Sequence, residues 1–127
     1  MHLHAITLVV PDYDAGIPFY AGKLGFTLTQ DTALSETERW VLVTPPGGQT
    51  HLLLAKADGP EQAVVIGNQT GGRVGFFLHT DDFDRDCAAI KTAGVTFYKD
   101  PRTEPYGKVV VWEDPFGNHW DLLELKA

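Results

Sequence analysis

The 127 residues carry 43% hydrophobic and 21% charged side chains, the balance of one ordinary globular domain with enough apolar material for a core. A formal charge of −7 argues against a nucleic-acid groove or an anionic membrane surface, both of which require basic patches. The single cysteine, Cys87, excludes an internal disulfide and suits a reducing compartment.

Met1 leads directly into His2-Leu3-His4-Ala5-Ile6, which reads as a strand rather than a leader, so the expected location is cytoplasmic. The spacing predicts a strand over 2–10. Asp12 then caps a helix over 12–24, which stops at Gly25, where a left-handed C-cap favours glycine. Pro18 falls inside this helix and predicts a kink, because proline removes a donor and crowds the preceding turn. Strands follow at 25–31, 37–44 and 50–56, the last two separated by the turn Pro45-Pro46-Gly47-Gly48.

The pattern then recurs. Leu78-His79-Thr80-Asp81-Asp82-Phe83-Asp84 repeats the character of Leu8-Val9-Val10-Pro11-Asp12-Tyr13-Asp14, and Gly94 repeats Gly25. A strand over 73–80, a helix over 82–93 and strands over 95–100, 107–113 and 118–125 complete a second unit. Each half reads β-α-β-β-β: module one at 1–56, a linker at 57–72 and module two at 73–127, within a single domain. The linker's Val64-Val65-Ile66 suggests that part of it packs down.

Five segments carry a family resemblance. His4 to Asp12, followed by Pro18-Phe19-Tyr20 and Lys23-Leu24-Gly25-Phe26, resembles the opening of a vicinal oxygen chelate module. Glu104-Pro105-Tyr106-Gly107 and Glu113-Asp114-Pro115-Phe116-Gly117-Asn118-His119-Trp120-Asp121-Leu122 resemble its closing hairpin. The chain is thus similar to the glyoxalase/bleomycin-resistance/dioxygenase superfamily over nearly its whole length. The resemblance implies an α+β fold, with two βαβββ modules forming a curved, cup-shaped mixed sheet and helices on its convex face. It also implies a homodimer, in keeping with the need of exposed sheet edges for cover. Function stays open, because the superfamily includes isomerases, dioxygenases, antibiotic-modifying enzymes and antibiotic-binding proteins.

Metal-dependent relatives place one ligand at each of four spots. These fall here on Ala5, Leu53, Gly75 and Asp121, and three of the four have no donor atom. The family's metal chemistry is therefore expected to be absent, with no cofactor required and a divalent metal still possible. His4 is adjacent to the first spot, but strand alternation turns it to the other face.

If Leu53 and Asp121 face the cup, period two brings His51 and His119 with them. Arg73 and His79 join from the second opening strand, beside Gly75, and Thr7 from the first. A displaced metal set of His51, His119 and Asp121 has suitable ligand types, and an Asp121–His119 pair could act as a general base. Hydrated, idle rim histidines are the plain alternative. Trp40, Trp112 and Tyr106 could line an aromatic pocket or simply pack, whereas Trp120 is opposite in parity to His119 and belongs under a helix. Cys87 reads as a packed structural thiol.

Two functions follow. One is a metal-free protein that binds a small molecule, its acidic surface suited to a cationic ligand, through His51, Arg73, His79, His119, Asp121, Trp40, Tyr106 and Trp112. The other is a metal-dependent lyase or dioxygenase with an altered ligand set. A degenerate subunit without a ligand of its own is a third.

Overall fold

The computed structural model describes residues 1–126. The chain divides into two compact units, Met1–Ile66 and Gly67–Ala127, and the division falls inside the expected linker.

In the first unit, β1 (Ala5–Val10) leads to α1 (Tyr13–Ile17). The Asp12 carboxylate accepts the Ala15 amide at 2.7 Å, which satisfies one of the free donors of the first turn. At Pro18 the helix changes character: Pro18–Lys23 forms a π-helical segment, closed by a Leu24 N–H to Phe19 O bond of 2.8 Å. The kink expected at Pro18 is thus a widening of the helix, since the missing amide breaks the α ladder at that residue. Strands β2 (Thr27–Ala33), β3 (Arg39–Thr44) and β4 (His51–Lys56) follow, then a single turn, α2 (Pro60–Ala63). The sheet order is β1-β4-β3-β2, with β1 and β4 parallel.

The second unit repeats the plan. It comprises β5 (Phe76–His79), α3 (Phe83–Thr92), β6 (Thr96–Phe97), β7 (Arg102–Glu104), β8 (Gly107–Glu113) and β9 (His119–Leu125). Asp82 caps α3 through the Arg85 amide, and Gly94 ends the helical stretch at φ +85°, as Gly25 does at +81°. The order β5-β9-β8-β6, with β7 also paired to β8, matches that of the first unit when β6 and β7 are counted as one interrupted strand. The repeat is therefore present in topology. The hydrogen-bonded strands form two sheets, one per unit, where the sequence suggested two halves of one curved sheet.

Two expected strands lose half or more of their length. The strand at 73–80 begins only at Phe76, because Gly71 and Gly72 take positive φ and Arg73 stays in the bend before it. The strand at 95–100 is interrupted: Pro101 has no amide to donate, and pairing resumes at Arg102 as β7.

Helix α1 covers one face of the first sheet. A Cβ added to Gly16 would lie 3.2 Å from Leu54 and 3.4 Å from Val10, so Leu8, Val10, Val41, Val43 and Leu54 are buried there. Helix α3 covers the corresponding face of the second sheet. Its Phe83 amide bonds the Glu124 carboxylate at 2.9 Å, and Glu124 shares its side of β9 with the buried Trp120 and Leu122. Burial of each such large apolar side chain stabilises the fold by about 1.5–3 kcal/mol.

Candidate functional site

Helices α1 and α3 each cover one face of their own sheet, and the candidate residues sort by strand parity between that face and the opposite one. In the first sheet Val43 pairs with Leu52 and Leu42 with Leu53. This register puts Trp40, Leu42 and Thr44 on the face opposite α1 with His51 and Leu53. Ala5 and Thr7 join them, being in register with His51 and Leu53. Nδ1 of His51 is hydrogen-bonded to Oγ1 of Thr44, which is itself bonded to Oγ1 of Thr29. Trp40 is half-buried on this face.

His4 departs from expectation. Its ring meets that of His51 edge to face, with centres 4.9 Å apart, instead of turning to the other side. Residue 4 precedes the first residue of β1, so strand alternation does not govern it.

In the second sheet Phe76 pairs with Trp120, Phe77 with Asp121 and His79 with Leu123. Phe77, His79, His119, Asp121 and Leu123 therefore share the face opposite α3, together with Val111 and Glu113 of β8. Oδ1 of Asp121 is buried and has no hydrogen-bond partner. Burial raises the carboxyl above its ordinary pKa, and Arg102 partly opposes the shift. Phe77 remains 64% exposed beside it.

His119 does not serve Asp121. Its Nε2 lies 3.2 Å from Oε1 of Glu113, and its ring packs on Tyr98 at 4.9 Å, so the Asp121–His119 general-base pair is not formed. The reason is the register, which sets Glu113 directly opposite His119. Arg73, outside the strand, meets His119 differently: both line a cavity of about 30 Å³, with Thr70, Asn118 and a set of glycines. That volume suits one or two water-sized groups, far below the roughly 300 Å³ and more of whole-ligand pockets.

Trp112 must be removed from the candidate set. It is 0% exposed and stacks on Trp120 at 5.1 Å, while Trp120 stacks on Phe76 at 4.5 Å. Trp112 and Trp120 are cross-strand partners, so both lie on the side that α3 covers. Tyr106 occupies the turn between β7 and β8, exposed. Cys87 is half-buried in α3, and burial pushes its thiol pKa up, which disfavours the thiolate.

The four spots that the family resemblance assigns to a metal do not fit one here. Ala5, Leu53 and Gly75 offer no donor. A Cβ at Gly75 would also lie 2.9 Å from Cγ2 of Thr70, so a ligating side chain there would displace its neighbour. Of the displaced set, His51 belongs to the first unit and His119 and Asp121 to the second. Among the described residues no three His, Cys, Asp or Glu side chains are grouped to hold an ion.

Phe77, Tyr98 and Glu113 were missed by sequence reasoning. For Phe77 a signal existed. In the doublet Phe76-Phe77 adjacent strand residues face opposite sides, so only one can enter a helix-packed core.

The family model of the Glyoxalase/Bleomycin resistance protein/Dioxygenase superfamily matches residues 2–122. The chain belongs to this superfamily. It is 52% identical over 122 residues to an uncharacterized protein of Shewanella frigidimarina, covering 94% of this chain and 90% of that one. Among solved structures, a superfamily member from Sphaerobacter thermophilus aligns with a TM-score of 0.80 and 34% identity, over 98% of this chain and 97% of that one. TnmS3, described as an antibiotic binding protein from Streptomyces sp. CB03234, aligns with a TM-score of 0.79 and 30% identity, over 99% and 97%.

Proposed function

We propose that this protein binds a small organic molecule on the face of its second sheet opposite α3, around Asp121 and Phe77, without a metal at the family positions. One observation carries the reading: a buried carboxyl oxygen without a partner, set beside a large exposed aromatic ring. A buried polar atom left unpaired costs about 1–3 kcal/mol, and such a group is usually completed by a ligand, water or function. An apolar wall with a few placed polar groups is the ordinary make-up of a small-molecule site. His79 and His119 supply further polar edges on the same face, and Arg73 lines the small cavity beside His119.

The likeness to TnmS3 supports a ligand of antibiotic type, and the charge of −7 favours a cationic one. His51 and Trp40 mark the corresponding face of the first sheet, and Tyr106 an exposed turn, as secondary contact candidates. On this reading no cofactor is needed and the chain turns nothing over. It works as a homodimer in the cytoplasm, the uniformly exposed β2 being an edge that a second copy could cover. Calorimetric titration of a panel of aromatic antibiotics into the parent, Asp121→Asn and Phe77→Ala proteins tests the reading. A saturable ligand should lose about tenfold or more in affinity with either variant. Unaltered affinity in both would remove the site.

A further inference from the structure

We infer that His4 and His51, with His2 as a third donor, form a binding site for a divalent transition-metal ion at the start of the first sheet, separate from the four family positions.

The histidines adjoin in series. The His4 and His51 ring centres are 4.9 Å apart at an interplanar angle of 72°, and His2 and His4 are 6.5 Å apart at 69°. Two imidazoles bound at about 2.0–2.1 Å to one tetrahedral ion have their ring centres about 5 Å apart. The His4–His51 pair already has that separation. The backbone holds it there, because the His51 amide donates to the His4 carbonyl at 2.9 Å.

The second observation is the support behind His51. Metal-bound histidines characteristically have their other ring nitrogen fixed by a hydrogen-bonding group, which sets the tautomer and raises donor strength. Nδ1 of His51 is held by the Thr44 hydroxyl, and that hydroxyl is held by Thr29. With the Nδ1 proton donated to Thr44, Nε2 carries a free lone pair. Thr44 is buried, so this arrangement is fixed rather than a chance surface contact.

The third donor requires a movement. The three side chains are not grouped around one point as they stand. His2 and His4 are exposed and precede β1, so rotation of the His2 side chain toward the pair meets no strand pairing. Ordering it costs on the order of 1 kcal/mol of rotamer entropy. Three neutral imidazoles suit zinc, nickel or copper rather than magnesium or calcium. The remaining coordination position would be open to water.

Titration of zinc sulfate into the full chain, freed of any purification tag and followed by calorimetry, is the test. One equivalent should bind, and the His4 and His51 ring proton signals should shift together in NMR spectra. His4→Ala and His51→Ala should each weaken binding by about tenfold or more, and Thr44→Val by a smaller factor through loss of the second-layer bond. His79→Ala should bind as the parent does, and thermal melting without zinc shows that each variant folds. No saturable zinc binding would overturn the proposal, as would affinity unchanged in both His4→Ala and His51→Ala. Loss of zinc on Asp121→Asn or His119→Ala, with His4→Ala unaffected, would also overturn it and place the ion on the second sheet.

Discussion

Phe77 and Asp121 are direct partners across the parallel pair of β5 and β9, and both project from the side of the sheet that α3 does not cover. Their neighbours in sequence, Phe76 and Trp120, are partners too and stack within the core. One step along the chain thus separates structural residues from those that face a ligand.

This division gives opposite expectations for two aromatic substitutions. Phe77→Ala should change the unfolding free energy by no more than about 0.5 kcal/mol, as for an exposed site, while weakening ligand binding. Trp112→Ala should cost about 3–5 kcal/mol, as for a fully buried aromatic side chain. Urea denaturation of the two variants, read at their midpoints, checks both.

Asp114 should prove indispensable to the turn before β9. Its carboxylate accepts hydrogen bonds from the Phe116 and Asn118 amides, from Nδ2 of Asn118 and from Nε1 of Trp120, while only 3% exposed. Asp114→Ala strands several donors at once and should cost about 3 kcal/mol or more. Thermal unfolding of Asp114→Ala beside Asp84→Ala, an exposed aspartate, separates this role from a general effect of lost charge.

Much of this plan was legible in the sequence because it rests on local chemistry. Asp12 and Asp82 cap their helices, and Gly25 and Gly94 end them, through groups a few residues away. The site was less legible because it depends on register between distant strands. Trp40 and Trp112 look alike in sequence, yet pairing sends Trp112 under α3 and leaves Trp40 on the other side of its sheet. Glu113 becomes the partner of His119 only through the β8–β9 hairpin. The approach of Gly67 to Phe116 likewise has no local sequence signal.

That approach can be tested by adding one methyl group. At Gly67, φ is +74° and a Cβ would lie 2.1 Å from the Phe116 carbonyl oxygen, so Gly67→Ala should destabilise by about 2 kcal/mol or more. Gly22 has nothing within 4 Å of the corresponding position and sits in the π-helical segment, where Gly22→Ala should be neutral or mildly stabilising. The two melting temperatures should move apart.

Stability should depend on pH with opposite signs at two aspartates. Burial raises the folded pKa of Asp121 above the usual 3.8, so the folded state binds the proton more tightly. Its contribution therefore declines as pH rises from about 3.8 through the raised value. Asp86 is shifted down, chiefly by Arg85 and also by Thr80, so its contribution is present above 3.8 and fades on acidification. Relative to the parent, Asp121→Asn should gain stability between pH 3 and 7, and Asp86→Asn should lose it. Chemical denaturation at both pH values measures the two slopes.

The most direct test of the ligand-binding reading is chemical-shift mapping of the ¹⁵N-labelled chain during titration with the tightest-binding member of the aromatic antibiotic panel. The expected result is a saturable set of shifts centred on Phe77, His79, Val111, His119 and Asp121, lost in Asp121→Asn. Shifts centred instead on the outer surface of α3, or no saturable binding by any member of the panel, would contradict the account.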